Sequence, residues 1–373
     1  MSLQFVFGPS GGGKSYYLYE KIIEEAKKDR TKDFLLIVPE QFTMQTQKEL
    51  VERSKNHAIM NIDVLSFERL AFRVFDELGM YQIRILEETG KNLILRRLTE
   101  EYGDSMSVLG SNLKKMGYVS EIKSLISEFM QYQITPEDIE AWCEDEDNAW
   151  SFRLKMKDIL VIYRKFLEYL EGSYITSEEV LEECAKTAGR SVMLKDCNLI
   201  FDGFTGFTPV QVNLLKTLFP MTDRIWAAVT LDKRVDPYRV TGMQELFHMS
   251  QRMVRTLLEL ADEAKCEVLE PIWVESGRQY RYGNAKALLH LEENLFRSSL
   301  KAYPKEQEEI QIQSCQNRKE ELEFAAATIS RMVREEDYRY RDFAIVSGAA
   351  AEYANYVKEI FEAYGLSLIH ISE

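Results

Sequence analysis

The hydrophobic pattern changes period several times along the chain. Residues 3–7 (Leu-Gln-Phe-Val-Phe) form a short β-type run that stops at a glycine-rich stretch. From residue 14 to 28 the spacing turns helical, with Tyr17, Leu18, Ile22 and Ala26 on one side and Lys27-Lys28 at the end. Phe34–Val38 is a continuous apolar strand closed by Pro39. Strand, helix and strand in close succession predict a βαβ unit and a parallel sheet. A helix over 43–53, a short strand over 61–65 and a helix over 67–78 follow, with Ser66 as N-cap and Gly79 as the stop.

Residues 84 to 190 read differently. Helical patterns succeed one another over 87–101, 119–132, 136–143, 150–171 and 178–187, and Thr135-Pro136 marks one clear helix start. β/α alternation then resumes. It predicts a strand over 198–201, a helix from Thr208-Pro209 to 219, a strand over 224–230, and helices near 244–264 and 284–295. After a polar stretch, strand 310–314, helix 319–334 and strand 343–346 suggest that a second α/β domain begins. The expected division is a sheet domain in two parts (1–83 and 191–300), an all-helical insertion (84–190), and the start of a second sheet domain (301–373).

Composition narrows the class. The chain has 373 residues, 45% hydrophobic and 29% charged, which excludes a disordered or collagen-like chain. No apolar run exceeds five residues, so no membrane-spanning helix is expected. The first residues carry no basic stretch and no long apolar run, so no signal peptide is expected. Cys143, Cys184, Cys197, Cys266 and Cys315 show no metal or CxxC spacing, which suits a reduced, cytoplasmic chain. His57, His248, His290 and His370 are equally dispersed. The net charge of −14 is uneven, because residues 135–183 hold fourteen acids against five bases. Such acidity opposes non-specific coating of DNA or anionic membrane, yet leaves room for a local basic groove.

One motif carries chemistry. Gly8-Pro9-Ser10-Gly11-Gly12-Gly13-Lys14-Ser15 matches the phosphate-loop pattern G-x-x-x-x-G-K-[ST] in full, between a predicted strand and a predicted helix. Glycines let main-chain N–H groups turn inward around phosphate oxygens, and the helix start aims its positive end at the same anion. Lys14 is placed to reach the β- and γ-phosphates, and Ser15 to ligate Mg²⁺. Such a sheet also needs a carboxylate at a neighbouring strand end to hold Mg²⁺ through water, and Asp202 is the candidate. Asp202-Gly203 equally fits a simple turn after a strand. Motor ATPases of this type place a Glu after that Asp to polarise the attacking water. Here Gly203 stands there, so nucleotide binding with slow or absent turnover is expected. Only seven residues precede Gly8, so no upstream segment indicates ATP over GTP.

Several stretches together resemble a known family. They are the start Phe7–Ser15, then Ile37–Thr43, Val64–Leu70, Ser127–Tyr132, Phe201–Pro209 and Tyr338–Asp342. In order and nearly along the whole chain, they are similar to AddB (RexB), the B subunits of bacterial AddAB helicase–nucleases of the Gram-positive type. The resemblance implies a P-loop, RecA-like fold of superfamily 1 helicase type, with an all-helical insertion and the start of a second RecA-like domain. It implies ATP and Mg²⁺ as cofactors, degraded motor motifs, and an AddA-type helicase/nuclease subunit as the heterodimer partner. Single-stranded DNA and DNA ends are the implied nucleic acids, and resection of double-strand breaks for recombinational repair the implied process. The nuclease domain and its four-cysteine iron–sulfur cluster belong to a C-terminal part with no counterpart here. Residues 368–373 do not continue the family pattern and read as adaptor-derived sequence, so a truncated gene is expected.

The resemblance also suggests where single-stranded DNA would lie. Gln41-Phe42 follow the second predicted strand and Ser66-Phe67 the third, where helicases of this type hold the strand, and aromatics at strand ends can stack on bases. Phe42 and Phe67 fit helix-packing positions as well. Two other functions compete: a small-molecule P-loop phosphotransferase, which the long acidic helical insertion fits poorly, and a non-catalytic scaffold with a structural nucleotide.

Overall fold

A computed structural model describes the chain except residues 56, 83, 104–105, 111–115, 172–173, 275–280, 298–300 and 367–373. The unusual ending, His370 included, lies outside the described residues. Two compact units emerge, residues 1–284 and 285–373.

The first unit is built on a seven-stranded parallel sheet. Its strands are β1 (Ser2–Gly8), β2 (Phe34–Ile37), β3 (Ile62–Leu65), β6 (Asn198–Phe201), β7 (Arg224–Thr230), β8 (Glu267–Val268) and β9 (Ile272–Trp273). The order is β3-β2-β6-β7-β1-β8, with β9 also on β1. β1 and β2 are therefore parallel but not adjacent, and β6 and β7 fill the slot between them. Those two strands come from beyond the insertion, so a local reading of a βαβ pair misses them.

Side-chain alternation sorts the sheet into two faces. Leu3, Phe5, Phe7, Leu35, Ile37, Leu199, Phe201, Ile225, Ala227 and Val229 face one layer of helices. That layer holds α3 (Phe67–Glu77), α8 (Glu179–Thr187), α9 (Pro209–Leu218) and α10 (His248–Glu263). Val6, Phe34, Leu36, Ile200, Trp226 and Ala228 face the other layer, α1 (Lys14–Lys28) and α2 (Thr43–Arg53). Strands covered on both faces need apolar residues at nearly every position, which explains the unbroken runs in the sequence. Each fully buried Phe, Leu or Ile here contributes about 1.5–3 kcal/mol.

The insertion has its own core. Leu95, Leu98, Ile122, Ile126, Phe129, Ile139, Ile159, Ile162 and Phe166 close it. They come from α4 (Glu88–Tyr102), α5 (Met116–Gln131), α6 (Pro136–Glu144) and α7 (Trp150–Leu170). Thr135 caps α6 through a full capping box, in keeping with its Thr-Pro start. The chain leaves and returns through a parallel two-stranded pair, β4 (Ile85–Leu86) with β5 (Ile175–Thr176). α8 falls within the expected insertion, but its Val180, Leu181 and Cys184 pack on the sheet side. No helix among the described residues is long and apolar enough to cross a membrane.

In the second unit, α11 (Lys286–Asn294), α12 (Arg318–Glu335) and α13 (Ala350–Ala363) are helical. Leu322 and Ala326 of α12 meet Ile360 and Phe361 of α13, with Leu366 beside them. The strands expected over 310–314 and 343–346 do not form. Both stretches run as irregular chain, with Ile312 96% and Val346 92% exposed. A strand gains stability only from hydrogen-bonded neighbours and a covered face, and neither segment has them among the described residues.

Candidate functional site

The glycine loop leaves the C-terminal end of β1 and enters α1. Gly13 caps α1 in the left-handed region (φ 92°), and Gly11 is also left-handed (φ 69°). The Gly12 amide donates to the Pro9 carbonyl across 3.2 Å and the Tyr17 amide to Gly13 across 2.9 Å. No side chain caps α1, and its first turn holds no acid. Its first amides thus face the loop with their positive dipole end uncompensated by any capping side chain. Lys14 is buried, and its Nζ donates to the Pro9 carbonyl across 2.9 Å, folded over the loop. Ser15 is half-buried one residue further along α1.

Asp202 follows β6, and its amide donates to Ile37 across 3.1 Å. It is buried, 7% exposed. β7 lies between β6 and β1, so Asp202 is one strand further from the loop than a neighbouring-strand arrangement predicts. The link back to the loop helix is made by a residue that sequence reasoning missed. The Tyr19 hydroxyl, on α1, donates to Asp202 Oδ2 across 2.8 Å. Burial, reinforced by the Asp202 charge, pushes the Tyr19 phenol far above its ordinary value, so it stays a donor. Gly203 is left-handed (φ 81°), and a Cβ there would lie 3.3 Å from Pro39 Cδ. The backbone, and not only the residue type, denies this position a side chain.

The four residues proposed for single-stranded DNA separate into two kinds. Gln41 and Phe42 sit in a 3-10 turn (Glu40–Phe42) just past β2, and both are exposed. Phe42 borders Gly203. Ser66 is buried and spends its hydroxyl capping α3, accepting from the Arg69 amide across 3.3 Å. Phe67 is a correction: at 4% exposed it packs among Phe201, Phe204 and Phe207, with ring centres 5.6–6.3 Å away. It is an aromatic core residue and offers no face to a base.

A second unpredicted feature flanks the loop. β9 pairs with β1, the Val274 amide donates to Phe7 across 2.8 Å, and the Val274 carbonyl fills the space a Cβ on Gly8 would need. Arg281 and Tyr282 then lie against Gly11, so close that a Cβ there would meet Tyr282 Cε2 at 2.8 Å and Arg281 Cβ at 2.9 Å. Strands of two residues leave no periodic signal, so this wall is invisible in the sequence.

The arrangement suits an anion. An uncapped helix start, a lysine and a serine gather at the end of β1, and Asp202 stands at another strand end of the same sheet. No group of three or more His, Cys, Asp or Glu among the described residues could hold a metal ion alone. The five cysteines are scattered, and four are buried.

A parallel sheet with helices on both faces and a glycine loop at the end of β1 defines a RecA-like α/β domain. Residues 5–292 match the family described as ADDB, N-terminal, and the chain belongs to that family. It is 41% identical over 369 residues to the B subunit of an ATP-dependent helicase/deoxyribonuclease from Lachnoclostridium phytofermentans, covering 98% of this chain and 32% of that protein. It is 31% identical over 370 residues to the protein of the same description from Clostridium tetani, again 98% of this chain and 32% of the relative. The chain thus spans about a third of the length of these relatives.

Proposed function

We propose that this chain is the nucleotide-binding, helicase-like N-terminal region of a B subunit in an ATP-dependent helicase/deoxyribonuclease. It works beside an AddA-type partner in the cytoplasm, on single-stranded DNA and DNA ends, in the repair of double-strand breaks by recombination. The observation that carries this reading is the phosphate loop, set at the end of a central parallel strand with an uncapped helix behind it. Gly8 to Ser15 cradle the phosphates, Lys14 balances the outer ones, and Ser15 with Asp202 would hold Mg²⁺. Magnesium would supply charge neutralisation between phosphate oxygens. Turnover is slow or absent, because the position after Asp202 is a left-handed glycine with no base. Gln41 and Phe42 provide the exposed strand-end edge for single-stranded DNA. The iron–sulfur cluster and the nuclease belong to the part of the subunit outside this chain.

The test is binding of labelled single-stranded DNA, with and without ATP, over a salt series. Binding that weakens with salt supports the proposal. Phosphate transfer to a small acceptor points to a phosphotransferase instead. A nucleotide-dependent melting temperature without DNA affinity points to a scaffold.

A further inference from the structure

Two buried aspartates of the first unit have unlike surroundings. Asp158, 5% exposed, accepts from the Ser107, Val108 and Leu109 amides and from the Ser107 hydroxyl across 2.8–3.3 Å, so both of its oxygens are satisfied. Asp202 is 7% exposed, and among the described residues its side chain accepts only from the Tyr19 hydroxyl, through Oδ2, and forms no ion pair. A buried carboxylate needs a cation or several donors to hold its charge. Asp202 has one neutral donor, and its Oδ1 is left to face a cation or a cation's water.

Tyr19 also sets where this carboxylate lies relative to the phosphate loop. Ser15 and Tyr19 are four positions apart on α1, so they stand one above the other on the same helix face. Long helical side chains lean back over the preceding turn. A phenol that reaches Asp202 from Tyr19 therefore holds the tip of β6 toward the face that carries the Ser15 hydroxyl. The phenol is itself fixed: Tyr19 is 3% exposed, and the buried Thr46 hydroxyl of α2 hydrogen-bonds to it. Helices α1 and α2 and the end of β6 thus meet at one oxygen.

We infer that Tyr19 is a positioning residue for magnesium: its hydroxyl holds Asp202 by Oδ2 and so orients Oδ1 to accept from the water of a magnesium ion carried by the nucleotide. The inference rests on the reading above that Ser15 and Asp202 serve the metal, and it adds the residue that orients the carboxylate. Tyr19 touches neither nucleotide nor metal. Its effect is on the part of the affinity that magnesium supplies.

The experiment titrates the full 373-residue chain with fluorescent ATP, once in magnesium buffer and once in EDTA, and reads the ratio of the two affinities. Tyr19→Phe should lower that ratio roughly tenfold, by weakening binding in magnesium and not in EDTA. Asp202→Asn should lower it as well, and in that background Tyr19→Phe should change it no further, because the two act as one unit. A merely structural tyrosine would weaken both arms alike. Should Tyr19→Phe melt below the assay temperature, Thr46→Val releases the same phenol and should lower the ratio in the same direction. An unchanged ratio in the folded variant, or equal losses in both buffers, overturns the inference while the metal reading stands. A full magnesium advantage in Asp202→Asn removes the metal reading, and a wild-type chain that binds no ATP removes the loop reading; either takes this inference with it.

Discussion

The Tyr19 hydroxyl and the Asp202 carboxylate form a buried hydrogen bond of 2.8 Å that ties the helix behind the phosphate loop to the tip of β6. Five residues after Lys14, the helix thus reports directly on the acidic strand end. One carboxylate oxygen is engaged by the phenol, and under the proposed function the other would accept from a magnesium-bound water. Replacing Tyr19 by Phe leaves a buried acceptor without its donor, at a cost of about 1–3 kcal/mol in urea unfolding at neutral pH.

The same pair predicts an alkaline effect. The folded-state pKa of Tyr19 lies above the ordinary 10.0, through burial first and the Asp202 charge second. Its stabilisation is complete below that ordinary value and is lost as pH rises toward the folded value. Wild type should therefore lose more stability above pH 10.0 than Tyr19→Phe does. Parallel losses in the two proteins would show that other groups control alkaline unfolding.

Restoring a glutamate after Asp202 should not restore a motor. Gly203 is left-handed at φ 81°, and its Cβ space abuts Pro39. Gly203→Glu should cost about 1–2 kcal/mol from the backbone alone and give no gain in phosphate release. A variant that hydrolyses ATP rapidly, with melting unchanged, would contradict this.

Lys91 is the buried cation of the insertion, 1% exposed. Its Nζ lies 2.7 Å from both Glu178 oxygens, 3.2 Å from Ser177 Oγ and 3.3 Å from Ser127 Oγ. It joins α4 and α5 to the chain returning toward α8. Lys91→Met strands the Glu178 charge and should cost about 3–5 kcal/mol, whereas adding Glu178→Leu should recover much of the loss. A double variant as unstable as the single one would show that the pair is not the source.

Thiol chemistry should distinguish the cysteines. Burial pushes Cys184 and Cys197 up to about 12, and Cys143 and Cys266 are buried as well. Only the half-buried Cys315 should react quickly with a disulfide reagent in native buffer, and all five should react in denaturant. More than one fast native thiol would indicate a looser core.

Much of the fold was legible because strands buried on both faces must be apolar throughout. Leu35, Leu36 and Ile37 read as a strand for that reason, and all are fully buried. Ile310–Ser314 and Phe343–Val346 also read as strands but have no strand neighbours among the described residues, and propensity alone did not order them into a sheet. The phosphate loop was visible since eight consecutive residues carry it. Tyr19 and Arg281 were not. Tyr19 meets a carboxylate 183 positions away, and Arg281 lies against Gly11 in a contact that no sequence spacing encodes. Phe67 and Phe42 look alike in sequence, and only packing shows that the first is core and the second exposed.

For Phe42 that exposure has a measurable consequence. Phe42→Ala should weaken single-stranded DNA binding by about 1–3 kcal/mol if one base stacks on it, with the salt slope unchanged. Unchanged affinity would place the strand elsewhere.

The most direct test of the whole account is an equilibrium titration of the chain with magnesium–ATP, wild type against Lys14→Ala. Saturable binding of one ATP per chain, weakened about tenfold or more by the loss of Lys14, is the predicted result. Absence of saturable binding in wild type, or equal affinity in the variant, would contradict it.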